Sequence, residues 1–578
     1  MVSPDNQVVL VFNGEIFNFK ELRQDLESAG YLFKGHSDTE VLLNLYCAHG
    51  ERMLQMLNGM FAVAIWDARR KALLLARDDM GVKPLYWAKT GEAIVFASEI
   101  KALLSFPGLR RDLDAAALRD HLTYLWAPAP RTMLKDVKKL EPGCAMWVKA
   151  GQVERHFRWA DTPACSPIQD ISDEEAIDQV RSALHQAVQR QLVSDVPIGA
   201  FLSGGLDSSA VAAFAQRAAP GSRLQCFTIG MDAASMRREG LVADLPYARQ
   251  VAAHLGVDLH EVQATPAMAD ELPRMIWHLD EPQADPAPLN VLAISRLARQ
   301  QGIKVLLSGA GGDDIFTGYR RHRLLQLELA GYGRLPQMAR SAIAAAARHL
   351  PTDNLFFRRL RKGLGQTHLS GDQRIASLFE WLEPEWVDKV LSPDMLHQSR
   401  HPNPLVEALA ELPASVPGLN RMLHLECRHF LADHNLNYTD KMSMAAGVEV
   451  RVPLLDRDLV RLAFSLPLRV KQRGRQGKWV LSQAVRNMVP ASILNRPKTG
   501  FALPLRAWLH GPLNALMQDT LSPQALHRRG IFNPQGVQQL IKADAQGHVD
   551  GAYPLLALIC TELWCRAFID ESEQPALH

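Results

Sequence analysis

Over the first 160 residues, apolar positions come in short runs separated by turns. QVVLVF at 7–12 reads as a buried strand closed by a tight turn at Asn13-Gly14-Glu15, and a helix is expected from Phe19 to Ala29, ending at Gly30. FAVAIWD from Phe61, KALLLARD from Lys71 and AIVFASE from Ala93 read as further strands. AMWVKAGQVERHFRW reads as a hairpin about Gly151. Runs this short, joined by turn-rich connections, predict antiparallel sheets packed face to face.

From Ser172 the period changes. A long helix (Asp173 to Leu192) leads into the strand-like PIGAFLSGG and a helix beginning near Ser208. LQCFTIG, a helix at Tyr247 to Leu255, LHEV and IKVLLSG continue the alternation, with a helical region after Asp314. Strand–helix alternation predicts a parallel sheet covered by helices. Beyond about Arg320 the pattern is mostly helical. The boundary falls in DTPACSPIQDIS, around 160–172, where turn residues replace periodicity.

At 578 residues the chain is too long for one ordinary core. With 64 basic against 62 acidic residues, charge gives no reason to expect nucleic acid or an anionic membrane as the main partner. Seven scattered cysteines without a CxxC pair predict neither a disulfide framework nor a zinc site. No run of about 18 apolar residues and no signal-peptide pattern stands out, so a cytoplasmic protein is expected.

The most informative stretch is Phe201-Leu-Ser-Gly-Gly-Leu-Asp-Ser-Ser209, which follows a strand and opens a helix. Adjacent glycines let backbone N–H groups approach a phosphate, and the helix N-terminus adds positive potential. Ser203 and Ser208 can donate to phosphate oxygens, and Asp207 can hold a bridging magnesium ion. Taken alone, the Gly-Gly pair serves equally well as a small-residue turn. The lysine of a GxxxxGK[ST] loop is missing, so this is not a Walker loop.

SGGLDSS resembles the pyrophosphate loop of the N-type ATP pyrophosphatases. Together with DEPQADPAPLN, LSGAGGDDIFTGY, DKMSMAAGVEVRVPLLD, GKWVL and RPKTGFALP it makes the chain similar, over nearly its whole length, to the asparagine synthetase family. The resemblance implies an α/β protein. A partial Ntn-type antiparallel sandwich (class II glutaminase, residues 1–160) would precede an α/β ATP-pyrophosphatase domain, adenine nucleotide α-hydrolase-like, with a helical extension (173–578). It implies ATP and Mg2+ as cofactors, with Ser203, Gly204, Gly205, Asp207, Ser208, Ser308 and Gly309 binding ATP. Asp207 and Asp313 would bind the metal, and Lys478 would act beside them in catalysis. The acidic run Asp280, Glu281 and Asp285 falls where the family keeps part of its active-site wall, although such a run alone is usually a solvated loop. Asp440, Lys441, Arg451 and Asp456 read at least as well as a structural ion-pair network as they do as catalytic groups.

By the same resemblance, Asn13, Gly14, Glu15 and Asp38 would bind glutamine, with Asn13 and Gly14 forming an oxyanion hole. Complete members begin with a nucleophilic cysteine, whereas position 2 here is Val2, and the arginine loop that clamps glutamine is also missing. The expectation is a misplaced start or a truncation, a chain that uses ammonia rather than glutamine, and an unpaired sheet edge. A second departure is Ala310 in Ser308-Gly-Ala-Gly-Gly-Asp-Asp314, where the family carries an acidic residue. An alanine can bind neither a proton nor an ammonium group. The acceptor is therefore either aspartate or a carboxylate without an amino group, such as a uronic acid, and Asp314 is a candidate to compensate. A catalytically inactive relative is the reading from a different class. The family implies small-molecule partners and a possible homodimer, with no nucleic acid and no membrane.

Overall fold

The computed structural model describes residues 1–570 except 232–242, 332, 334, 352–354, 475, 495 and 497–502. Most of the RPKTGFALP motif therefore lies outside the described residues.

Among the described residues, the first half is a sandwich of two antiparallel sheets. β1 (Val8–Ile16), β2 (Gly59–Asp67), β3 (Ala72–Arg77), β7 (Cys144–Lys149) and β8 (Gln152–Arg158) pair in that order. The second sheet runs β5 (Ala93–Ala97), β4 (Tyr86–Thr90), β6 (Val137–Lys139). Alternation along β2 explains the packing. Ala62 and Ala64 face Trp87, Ile94 and Phe96 of the second sheet. Val63 and Ile65 face the opposite way, onto Leu22, Leu26, Leu42 and Leu45 of helices Phe19–Ser28 and Asp38–His49. Both faces are covered, so the strand reads as one apolar run.

The expected turn at Asn13-Gly14-Glu15 is instead part of β1, which stays in register with β2 through Ile16↔Gly59. A Cβ on Gly14 would lie 2.0 Å from the Met60 carbonyl oxygen, so glycine here serves close strand approach rather than a bend. β1 is an edge strand, but its outer side is not bare. Val2 bridges to Val9, and the Met1 ammonium donates to the Leu10 carbonyl at 2.7 Å.

The second half is built on a parallel sheet in the order β11 (Asp258–Gln263), β10 (Gln225–Gly230), β9 (Ile198–Phe201), β12 (Val305–Leu307), β13 (Glu449–Arg451). Helices dominate from Arg320 onward. One of them, Ala552–Ile569, is by length and composition able to cross a membrane, and 83% of it is buried inside the protein. Glu562 and Arg566 interrupt its apolar run and pair with each other at 3.0 Å.

Buried ion pairs join the halves. Lys83 reaches Asp440 at 2.7 Å, Lys101 reaches Asp280 at 2.8 Å, and Lys139 reaches Glu281 at 2.9 Å. Within the second half, Lys441 closes on the other oxygen of Asp280, and Arg190 pairs with Asp456 at 3.1 Å. Asp280 and Glu281 are thus buried structural anions, not a solvated loop.

Candidate active site

Sheet order places two turns side by side. From β9 the chain moves to β10 and β11 on one side, then returns through β12 to β13 on the other. The order reverses between β9 and β12, where open α/β sheets bind ligands beyond their strand ends.

The turn after β9 opens helix Leu206–Ala218, with Asp207 in its first turn. Gly204 has φ +67°, and a Cβ there would meet the Ala248 nitrogen at 2.5 Å, so both conformation and packing require glycine. Ser203 Oγ and Ser208 Oγ lie 3.1 Å apart, and the Gly205 N–H donates to Ser203 Oγ at 3.3 Å. Two hydroxyls and a helix N-terminus converge on one spot, as a phosphate requires. Arg496 also supports this turn, donating to the Ser203 carbonyl at 3.1 Å while its guanidinium covers Tyr247. Arg496 has no role among the motif residues named from the sequence, and its position at the head of RPKTGFALP is the signal that marks it.

The turn after β12 carries Ser308, Gly309 and Ala310. Ser308 N–H donates to the Arg451 carbonyl at 2.8 Å, and Ala310 N–H donates to Ser308 Oγ at 3.1 Å. A Cβ on Gly309 would sit 2.6 Å from the Ser208 nitrogen, so the two turns touch. Gly312 leaves room for Asp207, whose Cγ would be 2.5 Å from an added Cβ. Gly318 does the same for Asp313 Oδ1 at 1.8 Å and Lys478 Cε at 2.2 Å.

These glycines admit a compact charged cluster. The Lys478 ammonium donates to Asp207 and lies 2.5 Å from Asp313 Oδ1. Burial alone would lower its pKa, but Asp207 and Asp313 outweigh burial and hold it at about 12. The lysine stays cationic, and two carboxylates against one ammonium leave net negative charge. Two carboxylates that already share one cation, beside a phosphate-type turn and without a soft donor, suit Mg2+.

Ala310 packs its methyl group against the core of the second half. Asp314 is buried and accepts from the Tyr319 hydroxyl at 3.4 Å. Tyr319 in turn accepts from the Asn435 amide at 3.3 Å. Glu426 forms the wall behind, bonded to Arg321 at 2.6 Å and to His322 at 2.7 Å.

In the first half, Asn13, Gly14, Glu15 and Asp38 gather at one end of β1. Asn13 Nδ2 donates to Ser98 Oγ at 3.1 Å, and Asp38 accepts from the Ile16 N–H at 3.0 Å. Glu15 points toward the second half, 3.5 Å from Arg451 Nη2. Burial and the neighbouring Glu449 raise its pKa to about 7, against the pull of Arg451. A carboxyl raised from 4.5 to about 7 contributes stability that is full below 4.5 and lost as pH rises through 7. Glu15→Gln should therefore gain melting temperature over the parent as pH goes from about 5 to about 8. A difference that stays constant across that range would show that Glu15 ionises normally.

An antiparallel amidotransferase-type sandwich joined to an ATP-using α/β half defines a two-part, nitrogen-transferring ligase. A model of the glutamine amidotransferase domain matches residues 1–159, and the asparagine synthase model matches residues 179–566. The chain belongs to the asparagine synthase family, carbon–nitrogen ligases with glutamine as amido donor. Asparagine synthetase (glutamine-hydrolyzing) 1 of Bacillus subtilis (strain 168) is 30% identical over 575 residues, covering 99% of this chain and 87% of the relative. A provisionally named asparagine synthetase of Mycobacterium tuberculosis (strain ATCC 25618 / H37Rv) is 32% identical over 594 residues, covering 100% and 86%. Amidase chyE of Penicillium rubens is 27% identical over 585 residues, covering 93% and 83%.

Proposed function

We propose that the protein amidates a carboxylate through an acyl-adenylate, with residues 1–160 as the amidotransferase half and 173–578 as the synthetase half. The acceptor is aspartate in the leading reading. The observation that carries the proposal is the Asp207–Lys478–Asp313 cluster set against the phosphate-type turn.

An acceptor oxygen attacks the α-phosphorus of ATP and pyrophosphate leaves. Ammonia then attacks the acyl carbon, loses a proton, and AMP leaves. Ser203, Gly204, Gly205 and Ser208 hold the phosphates, while Ser308 and Gly309 line the adenylate. Lys478, held cationic, offsets charge that grows on the departing pyrophosphate and on the acyl oxyanion. Mg2+, bound by Asp207 and Asp313, would supply charge screening on the triphosphate. Asn13, Gly14, Glu15 and Asp38 form the glutamine end of the reaction.

A second acceptor, a uronic acid sugar, is favoured by Ala310. Its methyl group offers nothing to an α-ammonium group. The test is AMP and pyrophosphate release with Mg2+–ATP and ammonium, aspartate being compared with a uronic acid. Ammonium makes the result independent of the glutaminase half. Turnover is expected, and the better acceptor decides between the two substrates. ATP binding without turnover on either acceptor would point to an inactive relative.

A further inference from the structure

We propose that Glu141, Cys144 and His156 form a zinc-type metal site at the outer edge of the sandwich, with water as fourth ligand. Their donor atoms, a carboxylate oxygen, a thiol sulfur and an imidazole nitrogen, all lie within 4.8 Å of one another. Tetrahedral zinc places such donors roughly 3.5 Å apart, given bonds of about 2.0–2.3 Å, so closure needs a shift of about 1 Å.

The three residues differ in how far they can move. Cys144 opens β7, and its N–H donates to the Glu141 carbonyl at 3.1 Å. The turn between them is pinned. Gly143 N–H donates to the Asp78 carbonyl at 2.8 Å, Arg77 donates to the Leu140 carbonyl at 2.9 Å, and Arg428 donates to the Pro142 carbonyl. His156 lies on the edge strand β8, with its side chain 41% exposed, and can swing onto the other two. Two donors are preorganised and one adjusts, which lowers the entropic cost of binding.

A plain ion pair between Glu141 and His156, 3.3 Å apart, leaves the Cys144 sulfur beside them as a third donor at the same spot. The donor set is soft enough to select zinc or cobalt over magnesium, so the site does not compete for the ion suited to Asp207 and Asp313. Because Arg428 belongs to the second half and grips this turn, a bound metal would stiffen a contact between the halves. Sequence spacing hid the site, since His156 reaches Cys144 from the neighbouring strand.

The test uses the full chain, reduced and stripped of metal, with the exposed Cys165 replaced by alanine in every sample. Zn2+ is titrated against a chromophoric chelator, and Co2+ absorption is recorded for a thiolate-to-cobalt band. One equivalent and a visible band are expected. Cys144→Ser should abolish the band and weaken Zn2+ binding by at least ~100-fold, and His156→Gln by ~10–100-fold. Circular dichroism checks the fold; should Cys144→Ser not fold, His156→Gln on the exposed strand carries the result. Binding well below one equivalent, or a band and affinity unchanged in His156→Gln, would overturn the site.

Discussion

Lys478→Met is expected to cut AMP formation by about a thousandfold while the protein still binds ATP. The expected loss is electrostatic in origin. The ammonium is buried, shared between Asp207 and Asp313, and held cationic by them. A charge fixed in a water-poor site before the reaction starts needs no reorganisation as the pyrophosphate and oxyanion develop. Lys478 also sits in the left-handed region at φ +54°, which a non-glycine residue tolerates only when its surroundings impose it. Lys478→Gly should therefore lose the same activity without a backbone penalty, which separates chemistry from folding. Pyrophosphate release under saturating substrates, set beside equilibrium nucleotide binding, is the measurement. A rate within about tenfold of the parent in both variants would remove Lys478 from the chemistry.

The second large effect concerns stability. Lys441→Met should cost about 3–5 kcal/mol, because Asp280 is fully buried and would keep only Lys101 on one of its oxygens. Removing the acid as well, in Lys441→Met with Asp280→Leu, should recover much of that loss. Burial would raise the Asp280 pKa, but Lys441 and Lys101 outweigh burial and hold it below 3.8. A depressed carboxyl contributes stability above its ordinary pKa, and that contribution drains away as pH falls below 3.8. Denaturant midpoints at neutral and acid pH measure both claims. A loss of less than about 1 kcal/mol at neutral pH would mean that the network is solvated.

The phosphate-type turn was legible because its determinants are local: an apolar strand, two glycines and a helix start lie within ten residues. Asn13-Gly14-Glu15 misled for the opposite reason. Asn-Gly favours a turn by local propensity, but pairing with Ala62, Phe61 and Met60 across β2 overrides it. β13 has three residues, too few for periodicity to register, and was visible only inside a motif. The Asp280–Glu281 run looked like a loop because its partners, Lys101, Lys139 and Lys441, are remote in the chain. Motifs mark the candidate site residues, while only the fold gives a physical reason for the glycines that make room for them. Nothing in the local pattern of Gly318 announces that it shelters both Asp313 and Lys478.

The three lysines that cross between the halves bear on how such a chain can be rearranged. Lys83, Lys101 and Lys139 come from the sandwich, and their anions Asp440, Asp280 and Glu281 come from the synthetase half. Each half expressed alone would carry unmatched charge on the face it lost. A recombinant that borrowed a foreign sandwich would have to bring cations to the same three places, or leave Asp440 and Glu281 without their lysines and Asp280 with Lys441 alone. The halves are thus modular by chemistry but interdependent by solvation, and exchange between relatives is restricted to donors that share this charge code.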